Sequence, residues 1–313
     1  MIETVEELRD LLRGTFLELN DIVAMSVLDT GETVLAIEVK NSNSFEAWSL
    51  LRNLAHQTGR WPVLTALWVN PSQSFDAQLR DADLFNRFYF QGECRDSRRG
   101  DNPDAIIEAS KAIDVEKYLV GFPLDDSLSI DDALEIALEE TQRAFGKKPL
   151  IENRLVFLHQ ESLSTPDDIE RWFFEWEIKQ CPDPLSLPEY GLRHLEWFEP
   201  EKEALLLMPS MRGWETPAYI NWYAAGGGRC NSQLIIALLE EWHSKYGAEL
   251  VAHHGTMIHL VVAHRPSTPD EAFHLAWQQN RVAPCTTILP GISLRDHARA
   301  LLHTNQWFLH ERP

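Results

Sequence analysis

Apolar positions recur along the chain with two different periods, so the sequence predicts both helices and strands. Residues 22–28 and 33–39 alternate or run apolar on either side of a turn, which predicts a β-hairpin. After Ser44, apolar side chains recur at the spacing of one buried helical stripe, and Gly59 ends that helix. The apolar run 61–69 that follows predicts a buried strand.

The middle of the chain shows a capped helix and two short apolar runs. Ser129 is typical of a helix N-cap, and Gly146 of a helix end. The apolar runs 155–158 and 204–208 predict core strands. Between them, the proline-rich stretch 181–188 can sustain neither helix nor sheet, so we expect a linker or long loop there.

The last hundred residues carry the clearest pattern. A short strand over 218–223 leads through glycines to a helix that begins at Asn231 or Ser232. A hairpin over 249–253 and 256–263, two further helices and a closing strand follow, an order that indicates an α+β unit. We expect the apolar stripe of the first helix to pack against the 256–263 strand; it contains Ile235, Leu238, Leu239 and Trp242.

Composition narrows the class of protein. The 313 residues include 28 basic and 48 acidic side chains, a net charge of −20 that disfavours binding to nucleic acid or anionic membranes. The chain has no apolar run of ~18 residues that would predict a transmembrane helix. The acidic N-terminus is unlike a signal peptide, and the four scattered cysteines form no C-x-x-C pair. We therefore expect a cytoplasmic protein without disulfides.

Charge and pattern together divide the chain into three segments. Residues 1–150 form the first segment, which carries 15 basic and 27 acidic groups. Residues 151–209 are predicted to connect this segment to the third one and contain two core strands and the proline-rich loop. Residues 210–313 form the third segment; from 211 onward it is electrically neutral and holds nine of the twelve histidines. The predicted fold class is α+β: an acidic N-terminal α/β region, followed by a compact C-terminal α+β domain with helices packed on a small sheet.

Several motifs of the third segment resemble a bacterial family known only as domain of unknown function 4253. They are Pro217-Ala218-Tyr219, the string from Trp242 to Leu250, Arg265-Pro266, Leu275-Ala276-Trp277-Gln278 and Trp307-Phe308. The resemblance runs from about Pro209 to the end, with a weaker likeness upstream between Trp48 and Val63. It implies a fold and a domain extent, and no activity.

The chain departs from the family pattern at polar positions. The family has an acidic residue where Gln278 stands, and Cys-Pro-Asp where this chain has Ala283-Pro284-Cys285. If those polar groups carry chemistry in relatives, this chain lacks most of them.

A glycine turn before the first helix of this segment suggests an anion site. Free backbone N–H groups, the helix dipole and Arg229 could hold an anion there, although the signature of a P-loop is absent. The alternative is a turn that only needs glycine for its backbone. The binding residues predicted around it are Asn221, Trp222, Gly226, Gly227, Gly228, Arg229, Asn231, Trp242 and His243.

The histidines suggest a metal site that their spacing does not support. His253 and His259 could share a face of the hairpin, whereas His264 falls on the opposite parity. No acidic or cysteine ligand is spaced beside them, so we predict no metal and no cofactor. A thiol nucleophile at Cys230 would lie ~20 Å from His243 along the same helix, too far for a catalytic pair.

One stretch resembles a magnesium-dependent nuclease signature. Asp167 and Asp168 precede a Glu-Trp-Glu-Ile-Lys run over 175–179, which would bind Mg²⁺ if that run formed a neighbouring strand. The competing interpretation is that Thr165-Pro166 caps a helix through the same residues.

With no complete catalytic set, we expect a non-enzymatic protein-binding module, immunity-type or inhibitor-like, that neutralises a basic protein partner. The alternatives are a metal-dependent, nuclease-like hydrolase, and a small-molecule or anion sensor that uses the Gly226–Gly228 turn. We expect most of the eleven tryptophans to lie in the core and some to line a binding surface, and the sequence does not show which belong to each group. The sequence also does not give the oligomeric state.

Overall fold

The computed structural model describes residues 1–27, 30–67, 72–82, 102–121, 128–188, 191–220 and 232–311. The chain forms two compact units, each assembled from separate parts of the sequence. Unit 1 comprises Met1–Tyr118, Glu196–His264 and Gln306–Pro313, and unit 2 comprises Leu119–Leu195 and Arg265–Asn305. These units are drawn differently from the three consecutive segments of the sequence analysis, and that those segments are domains stays a prediction.

Seven strands and thirteen α-helices lie within the described residues, and the α+β fold class is confirmed. The strands are β1 (Ile22–Ser26), β2 (Thr33–Val39), β3 (Trp61–Ala66), β4 (Glu203–Met208), β5 (Glu249–His253), β6 (Met257–Val261) and β7 (Gln306–His310). The helices are α1 (Val5–Leu11), α2 (Ser44–Asn53), α3 (Ala55–Thr58), α4 (Phe75–Ala82), α5 (Pro103–Ser110), α6 (Val115–Val120), α7 (Ile130–Phe145), α8 (Arg154–Gln160), α9 (Pro166–Gln180), α10 (Ser232–Tyr246), α11 (Pro269–Val282), α12 (Cys285–Ile288) and α13 (Leu294–Leu301). None of these helices has the length and apolar character needed to cross a membrane.

All seven strands form one sheet in unit 1, in the order β1-β2-β4-β3-β5-β6-β7. Neighbouring strands are antiparallel except β3 and β5, which run parallel. Every residue of β4 is buried, as expected for a central strand covered on both faces. The predicted hairpins of β1 with β2 and β5 with β6 are confirmed, and the sheet brings both ends of the sequence into unit 1.

Local signals in the sequence explain where the helices begin and end. Ser129 caps α7 through its hydroxyl, and Gly146 ends that helix in the left-handed region. The α10 stripe is buried as predicted, and Trp242 meets Trp307 of β7 edge-on, with ring centroids 5.9 Å apart. Its packing against the 256–263 strand stays a prediction.

Two predicted strands are wrong. Residues 155–158 belong to helix α8, which Asn153 caps, and most of them are not in the core. Of the strand predicted over 218–223, Ala218 ends a 3-10 helix, Gly213–Ala218, residues 219 and 220 follow it without strand structure, and the remainder lies outside the described residues. Short apolar runs do not distinguish strand from helix, because both can bury four consecutive side chains in part.

Unit 2 is helical within its described residues. Helix α9 packs against both α7 and α13, and α11 packs against α13. A hydrophobic cluster joins α7, α8 and α9 through buried residues that include Leu134, Leu158 and Phe173. The proline-rich stretch 181–188 forms neither helix nor strand, as predicted.

Candidate functional site

Most of the predicted anion site lies outside the described residues. Asn221, Trp222, Gly226, Gly227, Gly228, Arg229 and Asn231 all fall there, so anion binding at that turn stays a prediction. Trp242 is fully buried in the core of unit 1. His243 is half-buried; its Nδ1 lies 2.9 Å from the Ala248 carbonyl, and its ring centroid lies 4.4 Å from that of Trp214.

A β-bulge decides which histidines meet. Leu250 pairs with Leu260, but Ala252 pairs with His259, because one extra residue of β5 is accommodated between these pairs. Without the bulge, His253 would lie on the same face of the sheet as His259. With the bulge, His254 lies on that face instead. The rings of His254 and His259 accordingly lie 4.8 Å apart, centroid to centroid, and both are buried. The expectation that His253 could share a face with His259 is therefore wrong, because His254 takes that place.

Two aromatic residues from the segment before β4 cover this histidine pair. The Trp197 ring stacks on His259, with centroids 5.1 Å apart. The backbone N–H of Phe198 donates to Nε2 of His259 over 3.2 Å, and the Phe198 ring meets His254 edge-on. Because His259 Nε2 accepts this hydrogen bond, the neutral imidazole carries its proton on Nδ1.

A buried carboxylate lies next to this histidine pair. Glu203 Oε1, at the start of β4, lies 3.8 Å from His254 Nε2. Burial raises the pKa of Glu203; a hydrogen bond from Ser44 lowers this pKa, and the nearby Glu199 raises it. Burial also lowers the pKa of His259 well below its usual value, and the neighbouring His254 lowers it further. Burial and the neighbouring His254 therefore both disfavour a positive charge on His259.

The outer side of the site is aromatic and exposed. Phe45 of α2 meets Trp197 edge-on at 5.7 Å between centroids, and Phe45 and Phe198 remain 46% and 41% exposed. We call Phe45, Trp197 and Phe198 the aromatic surface. Exposed glutamates adjoin each part of it in sequence: Glu46, Glu196 and Glu199.

Contacts with buried tryptophans of helix α2 and strand β7 fix the aromatic surface in place. The indole N–H of Trp197 donates to the Trp307 carbonyl over 3.1 Å, and the Phe45 ring stacks on Trp48 with centroids 5.5 Å apart. The one basic residue of the segment 196–202 is Lys202, which forms an ion pair with Glu38. The surface therefore combines rigid aromatic rings with excess negative charge.

The nuclease-like signature does not form a metal site of the expected kind. Residues 175–179 lie within helix α9, not on a strand, and Thr165 caps that helix in a capping box with Asp168. Glu177 points into unit 2, where it pairs with Arg299 and accepts a hydrogen bond from Thr141. Across the described parts of the chain, no group of three or more histidine, cysteine or acidic side chains is arranged to hold a metal ion.

Unit 2 contains a buried network of charged side chains. Arg295, which is fully buried, pairs with Glu140, Glu170 and Glu177. Burial raises the pKa of Glu170 to about 7 against the opposing effect of Arg295. These ion pairs join α7, α9 and α13, so the network explains the helix packing without a ligand.

A second buried histidine pair lies in unit 2. His194 Nε2 and His297 Nδ1 are 3.0 Å apart, and His297 Nε2 lies 2.9 Å from Gln279 Oε1. Burial lowers the pKa of His194 to about 4. Burial also lowers the pKa of His297 well below its usual value, and His194 lowers it further, so both imidazoles are neutral near pH 7.

The aromatic surface is not among the sites predicted from the sequence. Its signal is the string Glu196-Trp197-Phe198-Glu199, in which two adjacent aromatic residues are flanked by glutamates in a segment without helix or strand periodicity. The spacing of Phe45 fits the buried stripe predicted after Ser44, so the pattern gives no sign that this ring is exposed.

Comparison with known proteins identifies one family. Residues 204–310 match the family model described as Domain of unknown function (DUF4253), in agreement with the resemblance seen in the sequence. The matched part runs from β4 to β7 and includes His254 and His259 as well as the helices α11, α12 and α13. No curated protein and no solved structure matches the chain.

Proposed function

We propose that the chain, whose residues 204–310 match this family of unknown function, is a non-enzymatic protein-binding module, immunity-type or inhibitor-like, that acts in the bacterial cytoplasm. The aromatic surface would contact a basic protein partner. The observation that carries the proposal is that Phe45 and Phe198 stay exposed beside Trp197 while glutamates flank all three. The thiol of Cys181, which forms no disulfide, is in keeping with a reducing compartment.

Aromatic rings with an acidic rim suit a partner rich in arginine or lysine. Cationic side chains bind over the faces of aromatic rings, with about 0.5–2 kcal/mol per contact. The net charge of −20 would attract a basic partner and raise the association rate. Since Trp197 is already fixed by His259 and Trp307, little conformational freedom remains to be lost on binding.

Calorimetry with an arginine-rich peptide tests the proposal. We expect saturable binding that weakens as salt rises, and we expect Phe198→Ala to reduce the affinity about tenfold, or ~1.4 kcal/mol. Ile288→Ala removes an exposed aliphatic side chain from unit 2 and should leave the affinity unchanged. Equal affinities for the wild type and Phe198→Ala would contradict the proposal, as would equal binding of a glutamate-rich peptide.

The acidic rim has its own test. The double variant Glu196→Gln, Glu199→Gln should slow association with the peptide and flatten its salt dependence, because rim charges act mainly on the association rate. Glu6→Gln on α1 changes an exposed glutamate of the same unit and serves as the control. An unchanged association rate in the double variant would show that the glutamates are ordinary surface charges.

A further inference from the structure

The buried network of unit 2 contains more negative than positive charge. Four carboxylates and two guanidiniums meet where α7, α9 and α13 pack together. They belong to Glu140, Glu170, Glu177, Asp296, Arg295 and Arg299. The network therefore has an excess of negative charge whenever all four carboxylates are ionised. Excess charge in a protein interior costs free energy, because little water remains to solvate it.

Two carboxylates on the inner side of the network use most of its positive charge. Glu177 is buried and pairs with the guanidiniums of Arg295 and Arg299. It also accepts a hydrogen bond from the Thr141 hydroxyl. Asp296 pairs with Arg299 as well, with Oδ1 2.8 Å from Nη1. These two carboxylates thus balance Arg299 completely and draw on Arg295 in addition.

The other two carboxylates share what remains of Arg295. Glu140 pairs with its Nη2 over 3.0 Å, and Glu170 pairs with its Nη1. Burial raises the pKa of Glu140 against the effect of Arg295; Asp296 raises this pKa further, and the exposed Arg143 lowers it. Glu140 in turn raises the pKa of Glu170. The two carboxylates therefore oppose each other's ionisation.

Glu140 and Glu170 also keep contact with water. Their side chains are 28% and 19% exposed, whereas that of Arg295 is 2% exposed. A proton can reach either carboxylate from the solvent without the helices separating. A protonated carboxyl group still accepts hydrogen bonds, so Arg295 would keep an acceptor on both sides. Protonation would remove the repulsion and leave the contacts in place.

We propose that Glu140 and Glu170 form a proton switch, which takes up one proton as the pH falls through neutrality and thereby tightens the packing of α7 and α9 with α13. The proton belongs to the pair, because strongly coupled carboxylates titrate as a unit. The switch lies in unit 2 and does not depend on the proposed function of the aromatic surface in unit 1.

The sign of the effect follows from the two states of the chain. Burial raises the pKa of Glu170 to about 7 in the folded chain, although Arg295 opposes this shift. In the unfolded chain this pKa is ~4.3. Between these values the folded chain binds a proton that the unfolded chain does not, so unit 2 gains stability below neutral pH. It loses this stability as the pH rises through 7.

Glu170→Gln tests the switch, because glutamine has the shape of the protonated side chain and cannot ionise. Amide hydrogen exchange, corrected for its intrinsic pH dependence, reports the protection of α9 and α13. In the wild type we expect protection to fall about tenfold between pH 6 and pH 8.5, the factor that proton linkage gives for a pKa of about 7. In Glu170→Gln the fall should disappear, and protection at pH 8.5 should equal or exceed that of the wild type.

Two further variants serve as companions to Glu170→Gln. Glu140→Gln should also reduce the pH dependence, because it removes the charge that opposes Glu170. Glu175→Gln is the control on the same helix, since the ion pairs of Glu175 with Arg171 and Lys179 lie at the surface. It should keep the pH dependence of the wild type.

A purely structural role of Glu170 predicts a different outcome. If Glu170 only served as an ion-pair partner of Arg295, Glu170→Gln would lower protection at both pH values, and this result would overturn the proposal. Carbon-13 NMR of the Glu170 carboxyl group in the wild type decides the question even if the variant does not fold. We expect a titration midpoint near 7, and an ordinary midpoint near ~4.3 would refute the switch.

Discussion

Trp197 lies flat on His259, with ring centroids 5.1 Å apart and ring planes within 13° of parallel. This contact joins a half-buried indole to an imidazole in the interior of the sheet. The histidine supplies a flat, polar support that also accepts the backbone N–H of Phe198 over 3.2 Å. A neutral imidazole is suited to both tasks, because Nε2 can accept the Phe198 N–H while Nδ1 carries the proton.

The first prediction is that His259 makes unit 1 sensitive to acid. Burial lowers the pKa of His259 in the folded chain, whereas in the unfolded chain this pKa is ~6.5. Below that pH the unfolded chain takes up a proton that the folded chain refuses, so the free energy of unfolding falls as pH falls. His259→Gln should be less stable at pH 7.5 but lose less stability between pH 7.5 and 5, as urea denaturation at both values would show.

The comparison with the variant is needed because the shifted pKa of Glu203 makes the folded chain more stable as pH falls, opposite to the effect of His259. Burial raises the pKa of Glu203, so the folded chain binds a proton at this residue before the unfolded chain does, and acid stabilises the fold through it. This contribution is present in both proteins and cancels in the difference. Identical losses in wild type and His259→Gln would show that His259 is not the residue responsible.

The second prediction concerns Trp242, one of the residues assigned to a binding site from sequence. Its side chain is fully buried beside Trp307 and has no exposed surface to offer a ligand. Trp242→Ala should reduce the free energy of unfolding by about 3–5 kcal/mol through the cavity it leaves. Peptide binding, measured where the variant is still folded, should be unchanged; weaker binding by a folded variant would restore Trp242 to the site.

The third prediction is about Gly247, which ends α10 with φ +61°. A Cβ atom at this position would stand 2.8 Å from the Cβ of Ala263. Gly247→Ala should therefore combine left-handed strain of ~1–2 kcal/mol with overpacking of ~1–3 kcal/mol. Gly14→Ala is the control, since Gly14 has φ +77° and open space around its Cβ position. Equal losses for the two variants in urea denaturation would mean that Ala263 moves aside freely.

The sequence predicted the elements that local chemistry determines. N-caps such as Ser129 and glycines in the left-handed region, such as Gly59, mark helix ends in the structure where the sequence predicts them. These signals are local, because a cap satisfies backbone groups within one turn. The resemblance to the DUF4253 family likewise rests on short motifs within residues 204–310.

The parts that the sequence did not predict depend on contacts between distant residues. A single bulge in β5 replaces His253 by His254 beside His259, and no alternation pattern reports a bulge. The exposure of Leu155 was missed because an apolar run suggests burial, whatever surface it has to cover. The meeting of Phe45 with Trp197 depends on residues 152 positions apart in the sequence. Such pairings follow only from the sheet order.

The last prediction tests whether Glu177 is structural or catalytic. Glu177 is 1% exposed and pairs with Arg299, which is also buried. Removing one partner of a buried ion pair leaves the other without its counter-charge, a change that typically costs 3–5 kcal/mol. Here Arg299 retains Asp296, with Nη1 2.8 Å from Oδ1, and the Pro184 carbonyl. We therefore expect Glu177→Gln to reduce the free energy of unfolding by about 3 kcal/mol, the lower end of that range.

Glu175→Gln is the matched control for Glu177→Gln, because Glu175 lies two residues away on the same helix α9. Glu175 is partly exposed, and its ion pairs with Arg171 and Lys179 lie at the surface. Its loss should change stability by less than ~1 kcal/mol. If Glu177 instead bound a catalytic Mg²⁺, Glu177→Gln would leave stability nearly intact or increase it, since catalytic carboxylates are held against mutual repulsion. Magnesium would then also raise the melting temperature of the wild type and not of the variant. The buried pair with Arg299 predicts the reverse on both counts: a large loss of stability in Glu177→Gln, and no effect of magnesium on either protein.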